Sequence, residues 1–315
     1  MIKKILVPLD GSPAAEAVLP LVTRLAKAEK AEVELITVLT PVAVWDAAAS
    51  MIKWDSEEAA AKEYIAGKAQ ELKDGGVVAR ASVAYGQAAY AIYGAAKEKN
   101  ADFIAMTTHG RSGVTRFVFG SVADKLLHTA APLLVVRPGN DEDRQLAPSE
   151  IRKILVPLDG SELSLAAVPL AEEMARVLSA SLVFCSVVST DWIAYAGMET
   201  PTLYEEVFED MKATAKENVD KVAGETRRRG FDAAAFVGTG GPADEIQRIA
   251  SEHGAGMIVM STHGRTGPSR WVMGSVADAV VRRTHLPCLL VRPEQVRADE
   301  PPGRVAESAT SPGAN

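Results

Sequence analysis

The sequence predicts an α/β protein of two tandem domains, each a doubly wound, parallel, five-stranded sheet with helices on both faces. The first observation is a duplication, because Lys4–Ser12 recurs unchanged as Lys153–Ser161. Farther along, Met106–Asp124 recurs as Met260–Asp278 with 13 of 19 positions identical. The second observation is that the apolar runs are short and continuous, which is typical of strands buried on both faces. The third is that strand-like and helix-like segments alternate, which favours right-handed βαβ crossovers.

The spacing of the repeated blocks sets the domain boundaries. The offset between copies rises from 149 to 154 residues, so the second copy carries a net insertion of five. A period this long indicates duplication of a whole domain rather than a solenoid. We place the first domain at 1–138 and the second at 151–293. The polar, proline-containing segment 139–150 predicts a linker, and the composition of 294–315 predicts a disordered tail.

Each element of the first copy follows from an apolar pattern. Five runs predict strands: Ile5–Leu9, Val33–Leu39, Val77–Val83, Phe103–Met106 and Leu133–Val136. Between the first two strands an apolar stripe at helical spacing predicts an amphipathic helix, which Pro20, and Pro169 in the second copy, should kink. Three further segments predict the remaining helices: Glu57–Leu72, Ala88–Lys97 and Ser121–His128.

Composition excludes several classes of protein. The 41 acidic and 34 basic residues give a net charge of −7, which argues against binding nucleic acid or an anionic membrane. No apolar run approaches the roughly 18 residues of a membrane span, and no signal-type segment precedes Asp10, so we expect a cytoplasmic protein. Cys185 and Cys288 are too few for a disulfide framework or a cysteine zinc site, and we expect buried, inert thiols.

An acidic residue follows the first strand of each copy, where ligands bind in an open α/β sheet. Ser12 as helix N-cap and Pro13 at the first helical position account for the turn, but not for the carboxylate of Asp10. Asp159 keeps the acid in the second copy, although Glu162 replaces the proline. Asp10 and Asp159 are therefore candidate functional residues, with an Asx-turn as the alternative interpretation.

The segment after the fourth strand carries glycines and ends on Gly-Ser at the start of a helix. Free amides and the helix dipole favour an anion there, so the segment predicts a phosphate cradle. The alternative is a loop that contains glycine only to turn, closed by a capping box of Ser121 and Asp124. The candidate residues are Gly110, Gly113, Gly120 and Ser121, with Gly264, Gly267, Gly274 and Ser275 in the second copy.

The arginine and histidine side chains of the same segment each allow more than one interpretation. The arginines could bind phosphate, or they could be solvated or paired with carboxylates: Arg111, Arg116, Arg265 and Arg270. His109 and His263 could transfer protons, but a hydrogen-bonding role is favoured because no nucleophile lies beside them. Walker-type, H-E-x-x-H and C-x-x-C motifs are absent from the sequence, and Gly238–Ala243 fits the dinucleotide pattern only loosely. We interpret the glycines of Gly238–Ala243 as residues of a turn.

Together these motifs resemble the universal stress protein family, and both copies match over nearly their full length, as in a tandem-type member. The ATP-binding branch of that family carries G-x₂-G-x₉-G-[ST] after strand four. Gly110 with Gly120–Ser121 fits the last three elements, and Gly264 with Gly274–Ser275 fits them again. Thr107 and Ser261 stand where the pattern has its first glycine, so both halves depart from it.

The resemblance implies a fold of the adenine-nucleotide alpha-hydrolase type, with strand order 3-2-1-4-5 in each half. The last strands, Leu133–Val136 and Cys288–Val291, would face each other across an internal pseudo-twofold axis. It also implies an ATP-binding regulator of the stress response with one nucleotide per half and little or no hydrolysis. A homodimer and a regulatory protein partner are further expectations.

The same resemblance assigns roles within each site. Asp10 and Asp159 would meet the ribose or adenine, and the backbone of Val38 and Val187 would meet adenine. Thr107 and Ser261 would lie against the ribose or base, and the glycines and serines would hold ribose and phosphates, with Mg²⁺ or Mn²⁺ bridging phosphate oxygens. We assign no catalytic residue. Two alternatives stay open: a slow ATPase or phosphotransferase, and a scaffold that binds no nucleotide and acts through its dimer surface.

Overall fold

A computed structural model describes most of both predicted domains. The described residues are 1–40, 47–108, 120–127, 129, 131–138, 151–190, 201–264 and 273–293. The predicted linker at 139–150 and the predicted tail at 294–315 lie outside the described residues.

Strands and helices alternate in the same order in both halves. The first half contains β1 (Lys4–Pro8), α1 (Pro13–Glu16), α2 (Leu19–Glu29), β2 (Glu32–Leu39), α3 (Ala47–Asp74), β3 (Val78–Tyr85), α4 (Ala88–Glu98), β4 (Phe103–Thr107), α5 (Ser121–Leu127) and β5 (Leu133–Val136). The second contains β6 (Lys153–Pro157), α6 (Glu162–Leu165), α7 (Val168–Leu178), β7 (Ser181–Val188), α8 (Pro201–Arg228), β8 (Ala233–Thr239), α9 (Pro242–Glu252), β9 (Met257–Ser261), α10 (Ser275–Arg283) and β10 (Cys288–Val291). The predicted α/β alternation is confirmed.

The strands form one ten-stranded sheet in the order β3-β2-β1-β4-β5-β10-β9-β6-β7-β8. Strands within each half pair in parallel. Their order confirms the predicted 3-2-1-4-5 in both halves. The halves are not separate sheets, because β5 pairs antiparallel with β10 and Leu134 lies opposite Leu289. This pairing satisfies two strand edges that would otherwise be open.

The chain after β1 forms two helices where the sequence predicts one kinked helix. The first, α1, begins after Ser12, whose Oγ accepts a hydrogen bond from the Ala15 amide at 3.2 Å. The second, α2, carries Pro20 in its first turn, where a missing N–H costs no helical hydrogen bond. The predicted kink is therefore wrong: the proline starts a new helix. Pro169 has the same place in α7.

The hydrophobic core covers both faces of the sheet. Ile5 of β1 packs with the residues of α2 and α3, whereas the next residue, Leu6, packs with α4 and α5, as the two-residue period of a strand requires. Leu134 and Leu289 belong to one face and Cys288 to the other, so the core continues across the junction of the halves. Within the described ranges, no helix has the length and apolar character needed to cross a bilayer.

Candidate functional site

Each half has a cavity at the carboxyl ends of its strands, where ligands bind in this type of sheet. The second-half cavity has a volume of about 580 Å³ and the first-half cavity about 280 Å³. The structure brings most predicted site residues together around them. The second-half cavity is lined by Asp159, Val187, Ser261, Gly264, Gly274 and Ser275. The first-half cavity is lined by Asp10, Val38, Thr107, Gly120 and Ser121.

Other residues singled out in the sequence lie outside the described residues. Among the site glycines these are Gly110, Gly113 and Gly267, and among the charged and imidazole groups His109, Arg111, Arg116, Arg265 and Arg270. The roles suggested for them stay predictions.

The acid after the first strand has the same geometry in both halves. Asp10 Oδ1 accepts hydrogen bonds from the Ser12 amide at 3.0 Å and the Ser12 hydroxyl at 2.6 Å. Asp159 makes the same two bonds to Ser161, at 3.0 and 2.6 Å. The Asx-turn is therefore present in both halves, and one carboxylate oxygen serves it.

The other oxygen of Asp159 points across the cavity floor toward the loop after β9. A Cβ atom built on Gly264 would overlap Asp159 Oδ2, so only glycine lets this backbone lie so close to the carboxylate. The loops after β6 and β9 therefore meet at this point, beside the α10 N-terminus. The arrangement places an acid and a set of backbone amides at one end of the sheet.

The second strand supplies the wall next to the acid. The Leu158 amide donates to the Cys185 carbonyl at 2.7 Å, and Val187 follows two residues later at the cavity. Burial raises the pKa of the Cys185 thiol to about 12, and the pKa of Cys288 likewise. Both cysteines are buried, as predicted.

The helix after the fourth strand begins at the serine rather than being capped by it. In the second half Gly274 is the N-cap of α10, no side chain caps this helix, and Ser275 is its first residue. In the first half α5 begins at Ser121, and the Asp124 amide donates to the Gly120 carbonyl at 2.9 Å. The alternative of a capping box with the serine as N-cap is therefore wrong in both halves.

The glycine that precedes α10 is held close to the end of β9. The Gly274 amide donates to the Thr262 carbonyl at 2.8 Å, and a Cβ on Gly274 would lie 3.1 Å from that oxygen. The Thr262 amide in turn donates to the Val291 carbonyl at 2.9 Å. The position of the α10 N-terminus is thereby fixed by two strands of the sheet.

His263 lies at the cavity with 7% of its surface exposed. Its Nδ1 is 2.9 Å from Thr262 Oγ1, and its amide donates to Ser261 Oγ at 3.2 Å. The Ser261 hydroxyl donates back to the His263 carbonyl at 2.8 Å. These bonds support a hydrogen-bonding role for His263, and they show how Ser261 is used where the family pattern has glycine.

Gly238, the first glycine of the loose dinucleotide pattern, is required by the packing of a helix against its strand. A Cβ on Gly238 would overlap the side chain of Glu245, which is 9% exposed. Glu245 pairs with Arg248 at 2.5 Å, and this hydrogen bond holds the pKa of the carboxyl below its usual range. Gly238 thus permits close approach of α9 to β8.

The long helix α8 lines the second-half cavity with residues that the sequence patterns do not identify. These are Val207, Asp210, Met211, Thr214, Ala215 and Asn218. Helical periodicity assigns them to a helix but does not show which face meets a ligand. Across the described part of the chain, no group of three or more His, Cys, Asp or Glu residues is arranged to hold a metal ion.

Comparisons with known proteins identify the family to which both halves belong. The family model described as "Universal stress protein family" matches residues 1–137 and 150–292. A universal stress protein of Methanocaldococcus jannaschii is 33% identical over 141 residues, covering 45% of this chain and 82% of that protein. One of Mycolicibacterium smegmatis is 27% identical over 301 residues, covering 92% of this chain and 97% of that protein.

Solved structures share the fold across both halves. A universal stress protein from Archaeoglobus fulgidus superimposes with a TM-score of 0.68 at 21% identity, covering 92% of this chain and 98% of that one. One from Pseudomonas aeruginosa gives a TM-score of 0.66 at 18% identity, covering 94% and 95%. With two matched segments that span most of its length, this chain belongs to the universal stress protein family, with the family domain present twice.

Proposed function

We propose that the protein is a cytoplasmic, ATP-binding regulator of the stress response, with one adenine-nucleotide site in each half and little or no hydrolysis. The observation that carries the proposal is the second-half cavity, where Asp159, Val187 and the Gly274–Ser275 helix start line one space of about 580 Å³. Small-molecule sites commonly have about 300–1,000 Å³ and mostly apolar walls with a few polar groups.

The residues present fit a nucleotide. Leu158, Val187 and Met260 give apolar walls suited to a base. The Asp159 carboxylate would accept hydrogen bonds from ribose hydroxyls or the adenine amino group. The first amides of α10, at Gly274 and Ser275, would face phosphates with the positive end of the helix dipole.

The first-half site would use the equivalent positions. These are Asp10, Val38, Thr107, Gly110, Gly113, Gly120 and Ser121, and in the second half Ser261, Gly264 and Gly267 complete the set. Mg²⁺ or Mn²⁺ would be held mainly by phosphate oxygens and water, which is the usual mode for Mg²⁺ bound with a nucleotide.

Occupancy would regulate the surface offered to a protein partner or to a second copy of the chain. Both cradles connect directly to the strands at the centre of the ten-stranded sheet, through the Thr108 and Thr262 amides that donate to Val136 and Val291. Light scattering with and without ATP tests the expected homodimer, and a monomer in both conditions would contradict it.

Two measurements test nucleotide binding. Denaturing the freshly purified protein should release adenine nucleotide that mass spectrometry identifies, and calorimetry on stripped protein should detect ATP. Gly274→Val should weaken binding in the second half, because a Cβ at this position would lie 3.1 Å from the Thr262 carbonyl oxygen and would displace the start of α10. Gly67→Val in α3 is the matched control, since a Cβ at Gly67 meets nothing within 4 Å. No heat and no thermal shift with millimolar ATP would favour a scaffold that binds no nucleotide.

A further inference from the structure

The long helix after the second strand is placed differently in the two halves. In the second half, α8 contributes Asp210, Thr214 and Asn218 to the cavity wall. In the first half, the described residues around the cavity include none from α3, although α3 and α8 both contain 28 residues. The α8 residues therefore form a wall of the second-half cavity that has no counterpart among the described residues lining the first-half cavity.

In the first half, side chains of α1 and α3 form a cluster that we call the α1–α3 clasp. It consists of Glu16 on α1 with Tyr64 and Lys68 on α3. The Tyr64 hydroxyl donates to Glu16 Oε1 at 2.9 Å, and Lys68 Nζ lies 3.0 Å from Glu16 Oε2. Burial raises the pKa of Tyr64, and the negative charges of Glu16 and Asp10 add to this, so the hydroxyl stays a donor. The phenol hydroxyl therefore links α3 to α1, the helix that follows the turn of Asp10.

The second half cannot form this clasp. Repeat offsets of 149 and 154 residues place Leu165, Asn218 and Val222 at the three equivalent positions. Helix α8 is instead tied just beyond its C-terminal residue, where Arg229 pairs with Glu172 of α7 at 2.6 Å. Earlier turns of α8 line the cavity. Asn218, the equivalent of Tyr64, is one of the lining residues.

We propose that Asp210, Thr214 and Asn218 form a nucleoside-recognition subsite, so that the second half binds adenine nucleotide more tightly and more selectively than the first. This rests on the proposed function and adds residues that differ between the halves. The Asn218 amide both donates and accepts, which complements the amino group and ring nitrogens of adenine. The Asp210 carboxylate accepts hydrogen bonds from ribose hydroxyls.

Exchange variants that import first-half residues test the subsite. Asn218→Tyr and Asp210→Ser place in α8 the residues found at Tyr64 and Ser56. Calorimetry on the stripped full chain should resolve a tighter and a weaker class of ATP site. Each variant should weaken only the tighter class, by about two- to tenfold per lost hydrogen bond. Asp220→Ser, an exposed change on the same helix away from the cavity, is the matched control and should leave both classes unchanged.

Selectivity gives a second readout. With the native chain, the tighter class should prefer ATP over GTP and over 2′-deoxy-ATP. Asn218→Tyr should reduce the first preference, and Asp210→Ser the second, with circular dichroism confirming the fold of each variant. Equal affinities in both halves, or exchange variants that bind like the native chain, would overturn the subsite while leaving nucleotide binding intact. Complete absence of ATP binding would overturn the proposed function and the subsite with it.

Discussion

Ser261, the last residue of β9, shows how a serine is accommodated where the family pattern has glycine. The sequence reveals that the residue is not glycine but cannot reveal the partner of its hydroxyl. In the structure the Ser261 side chain exchanges hydrogen bonds with the backbone of His263, at 2.8 and 3.2 Å. Short polar side chains commonly make such local bonds and stabilise turns. Serine is therefore compatible with this position, which has a negative φ and does not need the conformational freedom of glycine.

His263 leads to a prediction about hydrolysis. We expect phosphate release to be slower than about 1 s⁻¹, the lower end of typical enzyme turnover. A general base must hold the attacking water within hydrogen-bond distance, whereas this imidazole is largely buried and bonded through Nδ1 to Thr262. The assay measures phosphate release at saturating ATP and Mg²⁺, in the native chain and in a His109→Ala, His263→Ala double variant. Turnover of several per second that collapses in the variant would identify an ATPase instead.

The two buried thiols predict a loss of stability in alkali. Their pKa values rise from 9.0 to about 12 on folding, because burial disfavours the thiolate. The unfolded chain loses these protons first as pH rises above 9, so the thiol contribution is complete below pH 9 and is lost between pH 9 and 12. Each thiol contributes a slope of about 1.4 kcal/mol per pH unit.

Denaturant unfolding of the native chain and a Cys185→Ala, Cys288→Ala double variant measures this effect. The variant should lose stability less steeply than the native chain over the same pH range, even if it starts lower because of the lost packing. Parallel profiles for the two proteins would show that the thiols do not titrate differently in the folded and unfolded chains.

At the scale of elements, continuous apolar runs predict the strands, which are buried on both faces, and apolar stripes at helical spacing predict helices. This prediction fails at Pro20 and Pro169, because a proline is compatible both with a kink inside a helix and with the first turn of a new helix. The choice depends on where the preceding short helix ends: α1 begins after the N-cap Ser12 and ends at Glu16, and α6 begins after the N-cap Ser161 and ends at Leu165. The cavity face of α8 is missed for a related reason: a helix pattern shows which side is apolar, but not what lies opposite.

The α1–α3 clasp gives a prediction for a helix contact. Tyr64→Phe removes only the hydroxyl that donates to Glu16, and hydrogen bonds to charged groups are worth about 1.5–3 kcal/mol. Because Tyr64 is only partly buried, we expect a loss near the lower end, about 1–1.5 kcal/mol in the free energy of unfolding. Urea unfolding measures it.

Tyr90→Phe makes the same chemical change at a side chain that is 71% exposed, and should leave stability unchanged. Equal effects of the two substitutions would contradict a specific role for the clasp. A gain of stability in Tyr64→Phe would show that the free-energy cost of desolvating the hydroxyl exceeds the stabilisation by its hydrogen bond.

At the scale of the whole molecule, the duplication predicts two similar halves, and the strand order implied by the family resemblance predicts that they face each other through their last strands. It does not predict the register, in which Leu134 lies opposite Leu289, because the sequence of two short apolar strands fits several alignments. Charged side chains add to this junction: Arg282 of α10 reaches Asp124 of α5 at 3.0 Å, and Arg176 of α7 reaches Glu29 of α2 at 2.8 Å. The junction thus has contacts in the sheet and on both of its faces.

This shared junction predicts that the two halves unfold together. Neither half can separate without exposing an apolar strand edge and opening a core that contains residues from both. Differential scanning calorimetry should therefore show one transition whose van't Hoff and calorimetric enthalpies agree. Saturating ATP should move the whole transition upward, because a ligand of the folded state stabilises every part that unfolds with its site. Two separated transitions, of which ATP shifts only one, would show that the halves are thermodynamically independent despite their common sheet.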